Sequence, residues 1–337
     1  MGISPLQNEK GEHVIDSKEK AEILNSQYNS VFTTEDLNNI PDLGPSNTNN
    51  IRPLEISKTG IEKQLKQLNP SKANGPDELP SRILKETHAE ISPFLAKVFQ
   101  QSYNTGQVPA DWKQANISAI YKKGDRSQAV NYRPVSLTSI CCKIMKHVIY
   151  RHIMEHLESN QILSDNQHGF RSNRSCETQL VNTIKAIARE IDHRGQMDML
   201  ILDFSKAFDT VPHQRLLYKM SHYGITSNTL LSTMGISMAY QETTTGLCRR
   251  ESSRNIPVRS GVPQGTDLGP LCFLIYINDM GNSISRKTTP RLFADDSLLY
   301  RSIKTIDDRK QLQDLTTLNK WAETWKMTFH PAKCYIL

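Results

Sequence analysis

The chain has little that would tie it to an oxidising compartment, a membrane or a repetitive array. Six cysteines occur in 337 residues (Cys141, Cys142, Cys176, Cys248, Cys272 and Cys334), and none forms a C-x-x-C pair. That spacing suggests neither a disulfide framework nor a zinc site. His152 and His156 stand four apart on an expected helix, but no third ligand is close in sequence, which favours a plain surface reading over a metal site. No apolar run approaches the ~20 residues of a membrane span, and the opening MGISPLQNEKGE lacks the apolar core of a signal peptide. The expectation is a reduced, intracellular protein of nucleus or cytoplasm with no membrane partner. No period of about 20–50 residues recurs, which excludes a repeat array. No sign of charge dominates either: 41 basic against 35 acidic residues leave +6, a mild bias toward polyanionic partners.

What is present fits a soluble globular chain. Hydrophobic residues make up 37% and charged residues 23% of it, and its length allows two compact subdomains with a sizeable core. Residues 1–52 are polar and end in a breaker-rich stretch, Gly44-Pro45-Ser46-Asn47-Thr48-Asn49-Asn50, which reads as a linker holding one short helical pattern at Ala21, Ile23, Leu24 and Tyr28. Helical periodicity follows from Ile56 to Leu68, over 91–103, over 140–157 and over 176–191. Ile117, Ala119 and Tyr121 alternate with polar positions, as in a strand closed by the Lys122-Lys123-Gly124-Asp125 turn. The run MDMLILDF (197–204) is nearly all apolar and ends in Asp203, the pattern of a strand buried on both faces. A helix past Leu216, an apolar helix over 267–280, a hairpin around 293–296, a helix over 306–325 and a strand pair near Met327 and Tyr335 complete the series. Helices first, then strands alternating with helices, predict an α+β fold.

The hairpin carries the chemistry. Phe293-Ala294-Asp295-Asp296 sets two adjacent carboxylates inside an apolar stretch, with Leu298, Leu299 and Tyr300 leading out. An Asp pair resists desolvation and repels itself, so a fold that half-buries one needs compensation. A solvated turn is the bland reading; divalent metal is the other, since Mg²⁺ takes one or two carboxylates plus phosphate oxygens. If the strand ending at Asp203 pairs with this hairpin, the acids converge as in a two-metal site for in-line phosphoryl displacement. Asp209, six residues past Asp203, reads as structural, an N-cap by its position.

LDFSKAFDTVPH (202–213), SGVPQGTDLGPL (260–271) and FADD (293–296) resemble the successive palm motifs of a reverse transcriptase. NYRPVSLTS (131–139) and SDNQHGFRSNRSCETQL (164–180) resemble the fingers motifs of the non-long-terminal-repeat, LINE-type class, closest to jockey-like elements, and LNPSKANGPDELPSRILK (68–85) is similar to that class as well. The resemblance covers nearly the whole chain and implies a retrotransposon RNA-directed DNA polymerase. The implied fold is a right-hand polymerase with an antiparallel palm sheet backed by helices: residues 1–52 as linker, 53–195 as helix-rich fingers, 196–337 as palm, with thumb and endonuclease outside the chain. Its partners would be RNA template, DNA primer and dNTPs, and its cofactor two Mg²⁺, with Mn²⁺ as a substitute.

The resemblance also implies residue roles. Asp203 and Asp295 would bind both metals, with Asp296 assisting and the Phe204 carbonyl as a further ligand. Phe208 matches a steric gate, a ring that clashes with a 2′-OH and so selects dNTP over rNTP. Gln264 and Gly265 match the residues that pack on the incoming nucleotide, with Gly261 and Gly269 allowing close backbone approach. Lys122 or Lys123, together with Arg133, match the cations that hold the triphosphate, for which a guanidinium fork is suited. Arg171 and Arg174 would lie along the template. Lys333 matches a lysine that protonates departing pyrophosphate, with a solvated strand-end lysine as the other reading.

Three departures stand against the family pattern. Asp267 replaces an apolar residue and His330 an asparagine. The chain stops at Leu337, where a thumb would follow. Residues 234–250 show neither strand alternation nor a helical stripe where the family has a Trp-rich helix and a strand. With synonymous codons chosen for it, that segment read one base later becomes Trp-rich, because Met234-Gly235 and Met238-Ala239 each yield Trp in the shifted frame. The alternative function is therefore a truncated or frameshifted relic that binds nucleic acid without efficient catalysis; an RNA-dependent RNA polymerase is disfavoured by Phe208. The frameshift hypothesis predicts coding DNA that yields the Trp-rich reading one base later, and sequenced codons unable to yield it would sink the idea.

Overall fold

The structure, a computed structural model, describes residues 3–46, 48–226, 228–229, 243–248, 251–254, 256–285, 287–313 and 316–337. Helices and mostly antiparallel sheets alternate along it, as the sequence pattern predicts. The first hairpin is β1 (Leu6–Gln7) with β2 (His13–Val14). β3 (Gln114–Tyr121) pairs antiparallel with β4 (Tyr132–Leu137) and parallel with β6 (Thr243–Cys248), which turns back into β7 (Glu251–Ser252). The order of that sheet is β4-β3-β6-β7. β4 was not legible as a strand because it contains Pro134, and it is an edge strand, where a missing N–H is tolerated. β6 corrects the reading of 234–250 in part: its backbone pairs with β3 although the sequence lacks alternation. The remainder of that segment, and with it the frame question, lies outside the described residues.

The second sheet has the order β10-β5-β9-β8, all antiparallel: β5 is Gln196–Asp203, β8 Thr289–Phe293, β9 Asp296–Ile303 and β10 Tyr335–Ile336. Its register is full-length between β5 and β9, Gln196 opposite Ile303 through Asp203 opposite Asp296. Leu200, Leu202, Leu292 and Leu299 are buried on one face, against a core that includes the helix Leu268–Ile277, buried at every position except Pro270. The other face is not closed. Ile201 is 37% exposed, so β5 is not the doubly buried strand its composition suggested. An uninterrupted apolar run cannot distinguish a strand covered twice from one whose second face is only partly covered.

Sequence-predicted helices appear with small boundary shifts at Lys58–Lys66, His88–Thr105, Ile140–Ser159, Cys176–Asp192, His213–His222 and Leu268–Ile277. Serine caps start three of them, Ser57 Oγ accepting from Gly60 N–H, Ser139 Oγ from Cys142 N–H and Ser175 Oγ from Thr178 N–H. The helix predicted over 306–325 has two described parts, Ile306–Gln313 and Thr316–Thr324. His152 and His156 donate from Nε2 to the Arg52 and Tyr223 carbonyls, so both rings pin segments together, and His156 is buried rather than a plain surface residue.

The segment expected as a linker is pinned along its length. After the helix Ser17–Ser30, Thr33 N–H donates to Ser260 Oγ, and the Glu35 carboxylate accepts from the Gln214 and Arg215 N–H groups at the start of the helix His213–His222. The buried Arg215 guanidinium closes this with bonds to Glu35 Oε1 at 2.9 Å and the Asn39 carbonyl at 2.8 Å. A buried Arg survives only with such partners. Breaker-rich composition marks the segment as irregular, which is not the same as detached.

On β9, buried Arg301 donates to Asp308 Oδ1 at 2.6 Å, and that bond holds the Asp308 carboxyl down at about 2. The folded value lies below the ~3.9 of an unfolded Asp, so this stabilisation is present above that value and is lost as pH falls toward 2. Asp308→Asn removes it. Urea midpoints compared between pH 5 and pH 2 are expected to show a wild-type advantage that shrinks with acid; a difference constant over that range contradicts this role.

Candidate active site

The acidic floor of the site follows from one ladder. Asp203 ends β5 and Asp296 starts β9, and their Cα atoms are direct partners. Phe293 also pairs with Asp296, so Ala294 and Asp295 form a two-residue turn between β8 and β9. Ala294 has φ +55°, a left-handed conformation unusual for a residue with a Cβ. Something must hold it, and the buried Gln167 does. Its Oε1 accepts from Ala294 N–H at 3.0 Å and Gly169 N–H at 2.8 Å, while its Nε2 donates to the Ala294 carbonyl at 3.4 Å. Segment 166–168 runs beside β8, with Leu292 N–H donating to Asn166 O and His168 N–H to Leu292 O. Gly169 lies so close that a Cβ there would meet Ala294 N at 2.3 Å. Sequence reasoning missed Gln167 and Gly169, although both stand in the SDNQHGF stretch; nothing local to them says that the turn 125 residues away needs a clamp.

Beyond Asp203 the chain is tied to the C-terminal segment. Phe204 stacks on Phe329 at 4.6 Å, His330 N–H donates to Asp203 O, and Ser205 N–H donates to Thr328 O. The Phe204 carbonyl takes part in neither bond. Lys333 Nζ lies 2.6 Å from Asp203 Oδ2, the closest cation contact of the acidic floor among the described residues. Burial raises the Asp296 carboxyl above its ordinary range, and Asp295 and then Asp203 push it further the same way, while Lys333 and Lys122 oppose them.

A basic wall faces this floor. β3 and β4 place Ile120 opposite Arg133, and Lys122 N–H donates to Asn131 O just past the strand ends. Lys122 is shifted below the usual lysine range by desolvation, then by Arg133, Lys333 and Lys123 around it. The cleft between wall and floor encloses about 1190 Å³ and is lined by Lys122, Lys123, Arg133, Arg171, Asp203, Phe204, Phe208, Gln264, Gly265, Asp295, Asp296 and Lys333. Phe208 is held there by stacking on Phe273 at 4.6 Å and an edge contact with Phe170 at 6.4 Å. Gln264 is fixed at two points: its carbonyl accepts from Ser136 N–H and its Nε2 donates to Asp209 Oδ1 at 3.0 Å.

Several expectations need correction. Arg171 borders the cleft, but its guanidinium is spent on Glu158, at 3.0 and 2.7 Å, and on the Ser164 carbonyl at 2.8 Å. Arg174 is spent on Asp165, at 2.6 Å, and lines a neighbouring cavity instead. Neither presents a free cation to a template strand. Asp209 is not an N-cap; it lies within the short helix Ala207–Thr210, and burial raises its carboxyl. The close packing at Gly261 and Gly269 is internal, against the Phe208 and Asp209 carbonyls and the Pro263 carbonyl respectively. Asp267, the unexpected charge, is matched by His147, whose Nδ1 lies 2.7 Å from its Oδ2 and holds its carboxyl below the ordinary range. His330 keeps a backbone role, with its buried Nδ1 lacking a partner among the described residues.

The cleft thus sets Asp203, Asp295 and Asp296 on one side and Lys122, Lys123 and Arg133 on the other. The chain belongs to the reverse transcriptase family, since the family model for reverse transcriptase (RNA-dependent DNA polymerase) matches residues 120–337. It is 29% identical over 300 residues to a probable RNA-directed DNA polymerase from transposon BS of Drosophila melanogaster, covering 84% of this chain and 32% of that protein. It is 30% identical over 272 residues, 78% of this chain and 29% of the relative, to a probable RNA-directed DNA polymerase from transposon X-element of the same species. The RNA-directed DNA polymerase from mobile element jockey of Drosophila melanogaster is 27% identical over 284 residues, 81% of this chain and 31% of its own length. These relatives bear out the jockey-like resemblance. The chain spans about a third of their length.

Proposed function

We propose that this chain forms the fingers and palm of an RNA-directed DNA polymerase, extending a DNA 3′-OH with dNTPs against an RNA template and releasing pyrophosphate. The observation that carries this reading is the register that sets Asp203 opposite Asp296 with Asp295 in the clamped turn beside them. The β10-β5-β9-β8 sheet is then the palm, and the β3-β4 hairpin the fingers that close on the triphosphate.

The donor set fits two Mg²⁺, or Mn²⁺ in their place. Asp203 and Asp295 would hold both, with Asp296 and the Phe204 carbonyl as further oxygen ligands. Burial, then repulsion from Asp295 and Asp203, raises Asp296, and a divalent cation would relieve that cost. Among the described residues no three His, Cys, Asp or Glu form a metal-holding group, and substrate phosphates would supply further oxygen ligands. When bound, the ions activate the 3′-hydroxyl and neutralise the leaving pyrophosphate.

The protein's own groups do the rest. Lys122, Lys123 and Arg133 bind and orient the triphosphate, the guanidinium by bidentate donation. Phe208, immobilised by Phe273, excludes a 2′-OH by contact. Gln264 and Gly265 form the surface on which the nucleotide packs. Lys333 carries a proton beside Asp203 and gives it to departing pyrophosphate.

Primer extension on poly-rA/oligo-dT with the purified 337-residue chain tests the proposal. Mg²⁺-dependent dTTP incorporation is expected, reduced about 10²–10³-fold or more by Asp203→Asn. In the same assay Phe208→Ala is expected to admit rNTPs. Template binding without incorporation would leave the relic reading in its place.

A further inference from the structure

Behind Phe208 lies a second cavity, of about 70 Å³, that the proposed chemistry does not use. One wall is the nucleotide site, through Phe208, Asp209 and Gln264; the opposite wall is the N-terminal segment, through Tyr28 and Phe32, with Pro134 between them. The Tyr28 ring packs with Leu6, Leu24, Ala129 and Tyr132, which carries its hydroxyl inward. That hydroxyl is buried and has no hydrogen-bond partner among the described residues.

Across the cavity, Asp209 has one side-chain hydrogen bond among the described residues, from Gln264 Nε2 to Oδ1. An unpartnered phenol and a carboxyl with one side-chain hydrogen bond therefore line the same cavity. Buried polar groups are satisfied as a rule, and a water needs only roughly 10–15 Å³ of such a cavity, so this one has room for water between them. Burial raises the Tyr28 phenol, and Asp209 is the next largest contributor. The phenol is thus a donor at any ordinary pH, which suits a carboxyl acceptor.

We infer that water in this cavity joins the Tyr28 hydroxyl to the Asp209 carboxyl, and that this bridge makes Tyr28 a positioning residue for Gln264 and Phe208 in the nucleotide site. Tyr28 O–H donates to the water, the water donates to Asp209, and Asp209 holds the amide of Gln264. The N-terminal helix Ser17–Ser30 is by this route a wall of the nucleotide pocket. The kinetic consequence rests on the polymerase reading above; the bridge itself does not.

Two measurements on the full 337-residue chain separate these. The first is a thermal-unfolding cycle of Tyr28→Phe, Asp209→Ala and the double variant. Tyr28→Phe should lower Tm by about 2–4 °C alone and by less than half of that in the Asp209→Ala background. Additive shifts overturn the bridge whether or not the chain polymerises. The second is steady-state primer extension with Tyr28→Phe, where the expected result is a dNTP KM raised about 3–10-fold, kcat within twofold and template-primer affinity unchanged. Coupled Tm shifts with an unchanged KM in an active enzyme overturn the positioning role. If wild type shows no incorporation, the polymerase reading fails while the unfolding cycle still decides the bridge.

Discussion

The pairing of β5 with β9 in one register is the constraint on which the rest of the structure depends. A slip of one residue along that ladder would send Asp203 to the opposite face of the sheet from Asp296 and would turn Leu200 and Leu202 out of the core. Burial of one face therefore fixes the position of the acids on the other. The penalty for setting like charges together falls on Asp296, and the fold answers it with Lys333 on a segment bonded to the Asp203 backbone. The left-handed Ala294 is the local cost of a two-residue turn, and Gln167 offsets it with bonds to both sides of that residue's backbone.

Buried polar pins brace the helices behind this sheet. Lys219 is fully buried, with Nζ 2.5 Å from Asp279 Oδ1, 2.5 Å from the Tyr276 carbonyl and 3.6 Å from the centre of the Trp325 ring. It joins the helix His213–His222 to the helix Leu268–Ile277 and to the chain leading into Met327. Arg215, on the same helix, joins it to Glu35 and Asn39 of the N-terminal segment. Groups of this kind specify one arrangement because leaving either partner alone is so costly. The Phe204–Phe329 stack and the Tyr28 contacts extend the same bracing to the two edges of the cleft.

Much of this was legible in the sequence, and the exceptions have physical reasons. The helices follow from periodicity, which reports burial along a single element, and the strand ending at Asp203 from its apolar run. Adjacent acids between apolar runs, a ring five residues past Asp203 and glycines around Gln264 marked the site, and the structure brings those residues to one cleft. Long-range pairing was not legible. Nothing near Gln167 points to Ala294, nothing near Glu35 points to Arg215, and nothing near Asp267 points to His147. Arg171 and Arg174 read as free cations because their acidic partners, Glu158 and Asp165, become partners only once the chain folds back. The exposed face of β5 was missed because an apolar run does not record what covers it.

The proposed divalent-cation site draws on two segments, one ending at Asp203 and one at the Asp295–Asp296 turn. Fe²⁺ substituted for Mg²⁺, with ascorbate and peroxide, cleaves backbone close to the bound ion and so maps both segments at once. The account predicts cuts near Asp203 and near Asp295–Asp296 in the same preparation, suppressed by excess Mg²⁺ and by Asp203→Asn. Cuts confined to one segment, or cuts at both that survive Asp203→Asn, would contradict it.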